Sequence, residues 1–313
     1  MPELPQRARR AARQPPGLAA LDVAPGGPLR TVAAEPVMFL GGQRALLLQL
    51  AHPLVAAGVE HHSAFRAQPI RRLWSTIDTL MCLVWGRPSE ARAARDRILG
   101  IHDRVHGGVS PAEATTAVPI GTRYTAHDPE LLWWVWATLV DTTEVVHDRL
   151  LGPLEESMRD GLYNNWCALA EFVGIPAAVL DPDRAAFTVR YVDERDRLEL
   201  SATSRQVARS VIDPPVWLAP RPVRRAYALV ATSLLDDRTR TLYGLPWGPE
   251  EQELAATLEQ QIRASWALVP AWRRDLPDLY MNIRRIAAGA GELRVSRRPR
   301  PATGRLAPAI LPA

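Results

Sequence analysis

The chain has 313 residues, 47% of them apolar, and a formal net charge of +4 from 38 basic side chains, all arginine, against 34 acidic ones. That length allows a sizeable core, and so slight a basic excess, interleaved with acids, excludes the dense basic stripe of a nucleic-acid binder. The two cysteines, Cys82 and Cys167, lie outside any CxxC or CxxCH pattern, which excludes a zinc ribbon and covalently attached haem and leaves free thiols of a reducing compartment.

Residues 1–29 are rich in Pro, Arg, Ala and Gly without periodicity and read as a disordered arm. Its arginines (Arg7, Arg9, Arg10, Arg13) are followed by prolines and glycines rather than an apolar run, so no signal peptide is expected. The most apolar runs, 45–59 and 131–140, are shorter than the roughly 20 residues of a spanning helix. The expectation is a cytoplasmic protein without a transmembrane segment.

Residues 41–62 predict a helix broken at Pro53, which lacks the N–H of a continuous helix and restarts the chain just after His52. His52 then sits at a discontinuity beside apolar surface, as a satisfied core histidine or as a ligand. Arg44, eight residues earlier, is two turns away on nearly the same face and requires an anionic partner if buried, either a protein carboxylate or the carboxylate of a cofactor. His61, His62 and Ser63 read as polar residues closing this helix.

Two further helices follow, over 70–86 and 88–106. In the first, Leu73, Ile77, Leu80, Met81 and Val84 form an apolar stripe that Arg72 and Thr76 flank. The second opens on Pro88 with Ser89 and Glu90 in its first turn, carries Ala91, Ala94, Ile98, Ile101 and Val105 inward, and ends at Gly107-Gly108. A spacing of four places His102 and His106 on one face, about 40° apart, the arrangement of a haem or metal ligand at a helix end, and the helix alone allows either. All seven histidines (His52, His61, His62, His102, His106, His127, His147) fall between residues 52 and 147.

After a loop over 108–127, Asp128, Pro129 and Glu130 mark a strong helix start. That helix is apolar nearly all round to Val140, which predicts a central position, and Trp133, Trp134 and Trp136 either wall a cofactor pocket or pack the core. Helices are expected at 154–173, 184–192, 201–212, 221–236, 249–267 and 273–287, with no persistent strand alternation. The whole reads as one all-α globular bundle over 30–290 with a flexible Pro- and Arg-rich tail over 291–313.

The motifs RALLLQLAHPLVAAGVEHHSAF, RRLWST, IHDRVHG, YTAHDPELLWWVWATLVDT and LYGLPW, in this order, resemble the rubber-oxygenase (latex-clearing protein) and MpaB-type oxygenase family. The resemblance implies a globin-like helical core holding non-covalent haem b, with His102 of IHDRVHG as the proximal iron ligand. It also implies that Arg72 and Thr76 act on the distal side, where they would polarise dioxygen. Rubber-cleaving members carry a lysine just before that threonine and are exported; this chain has Ser75 there and no export signal is expected, so it is more similar to the small intracellular members.

The expected function is a haem b-dependent oxygenase acting with O₂ on an apolar, unsaturated small molecule, with Arg44, His52 and His106 as further cofactor-binding residues. A neutral imidazole ligand wants a partner for its other nitrogen, here the carbonyl of residue 98 or a group elsewhere rather than Asp103, which is adjacent on the helix. Two alternatives are a haem carrier or sensor in which His106 or His52 fills the sixth position, and a di-metal carboxylate bundle. The latter needs two Glu-x-x-His pairs; only Glu144–His147 is present.

Overall fold

The computed structural model describes residues 26–62, 69–212 and 220–289; the expected tail over 291–313 and most of the expected arm over 1–29 lie outside these. Among the described residues the fold is all-α apart from one two-stranded ladder. Pro28–Ala33 (α1) starts two residues before the expected domain boundary, because Leu29 is buried in the main core.

A 3₁₀ turn at Pro36–Gly41 leads into α2 (Gly42–Ala51), and α3 (Pro53–His62) follows after a single residue. The break falls where Pro53 predicts it: His52 is extended (φ −82°, ψ 118°) and caps α2. Gly41 suits the close packing here, since a Cβ on it would lie 2.6 Å from Val146 and 2.7 Å from Thr142.

The helix that centres the molecule is α6 (Pro129–Leu150), started by Asp128, whose carboxylate accepts from the Glu130 and Leu131 amides. It packs against α2, the 36–41 turn, α7 (Glu156–Phe172) and α12 (Pro249–Leu268). Trp133, Trp134 and Trp136 are 1–4% exposed and stack among Tyr163, Phe187 and Tyr191. Trp133 Nε1 donates to Asp181 and Trp136 Nε1 to the Trp166 carbonyl. Of the two readings of this helix, core packing is the one realised.

Around α6 stand α4 (Pro69–Trp85), α5 (Pro88–His102), α8 (Arg184–Asp196), α9 (Ala202–Ile212), α10 (Arg221–Ser233), α11 (Asp237–Tyr243) and α13 (Leu276–Ala287). The short α11, capped by Asp236 and closed by Gly244 at φ +62°, is too brief to show periodicity in the sequence. Three expectations need correction, the first being Ile101, which was expected to face inward and is 42% exposed in the last turn of α5. Helix α5 ends at His102, not at 106, and His106–Gly108 (β1) pairs antiparallel with Arg123–Thr125 (β2). Leu73, expected in the core stripe of α4, is more than half exposed, because α4 packs through Met81–Val84 while residues 71–76 project beyond its neighbours.

Candidate functional site

The N-terminal end of α6 gathers two of the expected histidines. His52 follows α2 and feels the charge of Asp128, the α6 cap; His102, the last residue of α5, meets His127 edge-on with ring centroids 6.0 Å apart. Residues 127 and 128 are neighbours in sequence, so His102 meets the residue just before the α6 cap and His52 feels the charge of the cap itself.

Both imidazoles are held neutral. Burial pushes His52 down to about 4, against a weak pull from Asp128. For His102, burial and the neighbouring His127 lower the pKa, with Asp103 opposing. Their hydrogen bonding differs. The Leu54 amide donates to His52 Nδ1 at 3.3 Å, so in the neutral ring Nε2 carries the proton and can only donate. His102 Nδ1 is buried and makes no hydrogen bond, the expected bond to the carbonyl of residue 98 included. Asp103 is not its partner either, as it accepts from His127 Nε2 at 2.7 Å. His102 is thus set apart from His52 by a buried ring nitrogen outside any hydrogen bond.

Arg72 and Thr76 lie on the exposed N-terminal half of α4. Arg72 is exposed, and partial desolvation lowers its pKa. Thr76 Oγ1 donates to the Arg72 carbonyl at 3.0 Å, so its hydroxyl proton is taken up within the helix and its lone pairs are left outward. Leu73 and Trp74 are exposed on the same turns.

Arg44 and His106 stand elsewhere. Arg44, 4% exposed, donates from Nη2 to Asp141 (2.6 Å), from Nη1 to Thr142 Oγ1 (2.6 Å) and from Nε to the Leu234 carbonyl (2.7 Å). Burial works against its charge, but Asp141, with Tyr191 and Asp236, more than offsets this and its pKa is raised. The anion it requires is therefore a protein carboxylate. His106, on β1 rather than on a helix, is exposed and belongs to a separate group. His62 Nε2 bonds its carbonyl (3.1 Å), and His61 bridges the Tyr124 hydroxyl (2.8 Å) and the buried Glu113 carboxylate (2.7 Å). The one Glu-x-x-His pair is also engaged, Glu144 with Arg159 (2.9 Å) and His147 Nδ1 with the Gly152 carbonyl (2.8 Å). No group of three or more His, Cys, Asp or Glu among the described residues is placed to hold a metal ion by itself.

The contacts of His127 with His102 and Asp103, and of His61 with Tyr124 and Glu113, were not expected from the sequence. His127 was visible in the run AHDPE as the residue before a strong cap, and its proximity to His102 follows only from the fold.

Residues 29–276 match the family described as ER-bound oxygenase mpaB/B'/rubber oxygenase, catalytic domain. Two curated relatives, "Uncharacterized protein Mb2261" of Mycobacterium bovis and "Uncharacterized protein Rv2237" of Mycobacterium tuberculosis, are each 28% identical over 238 residues, covering 72% of this chain and 89% of theirs. No solved structure matches the chain.

Proposed function

The chain belongs to the mpaB/rubber-oxygenase catalytic-domain family, and we propose that it is a haem b-dependent oxygenase that acts with O₂ on an apolar, unsaturated small molecule. The observation that carries the haem assignment is His102: a neutral, half-buried imidazole with a buried ring nitrogen in no hydrogen bond. The donor set fits a single-histidine haem better than a bare metal ion, since no second and third ligand accompany it among the described residues. Haem would supply the redox-active iron at which dioxygen is activated.

The protein's own residues would do the following. His102 would hold the iron, kept neutral at physiological pH by its surroundings. Arg72, cationic and accessible, would either pair with a propionate or stabilise negative charge developing near the reacting oxygen. Thr76 would donate only after its hydroxyl turns away from the Arg72 carbonyl. His52, fixed as a donor through Nε2, would supply a hydrogen bond rather than a sixth ligand. Leu73 and Trp74 would give an apolar substrate a surface beside Arg72. Ser75, standing where rubber-cleaving members have lysine, removes one cation from this turn and points to a substrate other than rubber.

Oxygen uptake by the hemin-reconstituted protein, tested with isoprenoid and unsaturated fatty-acyl substrates, checks the proposal. Substrate-dependent uptake that falls at least tenfold in Arg72→Ala is expected. A hexacoordinate low-spin spectrum with no uptake on any unsaturated substrate would contradict it in favour of a carrier or sensor.

A further inference from the structure

His61, in the last turn of α3, bridges two groups that the chain places far from it. Its Nε2 stands 2.7 Å from Glu113 Oε1 and its Nδ1 2.8 Å from the Tyr124 hydroxyl. Glu113 is 2% exposed, and its other oxygen accepts from the Ser110 amide at 2.7 Å. A carboxylate only accepts, so Nε2 carries the ring proton and donates it; in the neutral ring Nδ1 then accepts from the Tyr124 hydroxyl. Glu113 is a fixed anchor, because the Thr203 amide of α9 donates to the neighbouring Ala112 carbonyl at 3.1 Å. Tyr124 is the group being held. Its hydroxyl lies against Gly107, where a Cβ would come within 2.7 Å of it, and a Cβ on Gly58 of α3 would lie 3.4 Å from Val105. Helix α3 is thus pressed against the segment that follows α5.

From Tyr124 a continuous set of backbone bonds leads to His102. Tyr124 pairs with Gly107 in the β1–β2 ladder. Beyond the ladder the Ala126 amide donates to the Val105 carbonyl (2.8 Å), and the Val105 amide to the His102 carbonyl (3.0 Å). The next residue, His127, meets the His102 ring edge-on and donates to Asp103. Helix α5 stops at His102, so no further helical turn fixes this end, and the ladder does so instead. We propose that His61 is a positioning residue for His102: by tying Tyr124 to Glu113 it holds the ladder that sets His127 against the His102 ring. Its bearing on haem rests on the reading of His102 as the iron ligand. Groups that orient a ligand from outside the metal's own contacts govern how well the metal is held.

NMR of the full chain labelled with ¹⁵N, before any hemin is added, tests the placement. The readouts are the His102 ring resonances, assigned by their loss in His102→Ala, and the exchange of the Ala126 amide. Tyr124→Phe removes one hydroxyl and leaves Glu113 paired; His61→Leu removes both bonds. Each should shift the His102 ring resonances and speed Ala126 exchange by about tenfold. His61→Gln should restore both, since its amide donates and accepts as the neutral imidazole does. In a hemin titration the first two variants should bind about tenfold more weakly and His61→Gln like the wild type. His102 resonances and Ala126 exchange unchanged in Tyr124→Phe and His61→Leu would overturn the proposal. So would a His61→Gln that behaves as His61→Leu, which would assign the effect to lost packing. A wild type without a Soret band would remove the haem reading and not this one, which the ring and amide readouts decide by themselves.

Discussion

Helix α6 has charged and histidine side chains packed at its middle and at its N-terminal end, and the two groups are built on opposite terms. At the middle, every donor of Arg44 that the fold buries has an acceptor, from Asp141, Thr142 and the Leu234 carbonyl. At the N-terminal end, His102 keeps a buried nitrogen outside any hydrogen bond, and the nearby helix α4 exposes Leu73 and Trp74 beside Arg72. A saturated buried ion network holds a fold in register, whereas an unsaturated polar atom beside accessible apolar surface is fitted to a ligand. Arg44 and Arg72 are both arginines in apolar helices, and only the fold shows that Arg44 is a saturated clamp.

Breaking the middle should have the largest effect. Arg44→Met strands Asp141 and should cost about 3–5 kcal/mol, read as a fall in the urea midpoint, without removing hemin binding beyond what unfolding explains. Gly41→Ala forces a Cβ into Thr142 and Val146 next to that clamp and should cost about 1–3 kcal/mol in the same assay.

Acid should loosen the outer carboxylate anchors before the apolar core. Glu35 is buried, which alone would raise its pKa, but Trp266, Arg274 and Arg273 bond its carboxylate and bring it below the ordinary 4.5. Asp78 and Glu90 are likewise lowered by Arg284, Tyr280 and Arg285 against burial. A depressed carboxylate binds fewer protons folded than unfolded, so its stabilisation is complete above the ordinary carboxylate range and is lost as pH falls through the folded pKa. Unfolding midpoints should therefore drop steeply below about pH 4.5, and Glu35→Gln should flatten that slope. His52 contributes in a different window. Its pKa of about 4 against the ordinary 6.5 means that protons favour the unfolded chain between those values, so His52→Gln should reduce the loss of stability from pH 6.5 to 4.

The smallest effect on folding should come from the exposed half of α4. Arg72→Ala lies at an exposed position and should change stability by less than about 0.5 kcal/mol, so its loss of oxygenase turnover would be a property of the site.

Much of the fold was legible because its signals are local. Pro53 broke the 41–62 helix at His52, Asp128 with Pro129 started α6, and the all-round apolar run placed α6 at the centre. The end of α5 was misread because the residues after His102 keep an apolar period through Val105, whereas the Gly107-Gly108 backbone enters a ladder with 123–125 that no local pattern announces. That error joined His102 and His106 on one helical face; the structure parts them, turning His106 toward His62 and His102 toward His127. Arg44 could not be assigned for a related reason, since its partner Asp141 lies 97 residues away and only packing of α2 on α6 brings them together.

The most direct test of the contrast between the two regions is the visible spectrum of the protein reconstituted with hemin, wild type beside His102→Ala and His106→Ala. The account predicts a strong Soret band that His102→Ala abolishes and His106→Ala leaves in place. A wild type without a Soret band, or a band lost in His106→Ala and kept in His102→Ala, would contradict it.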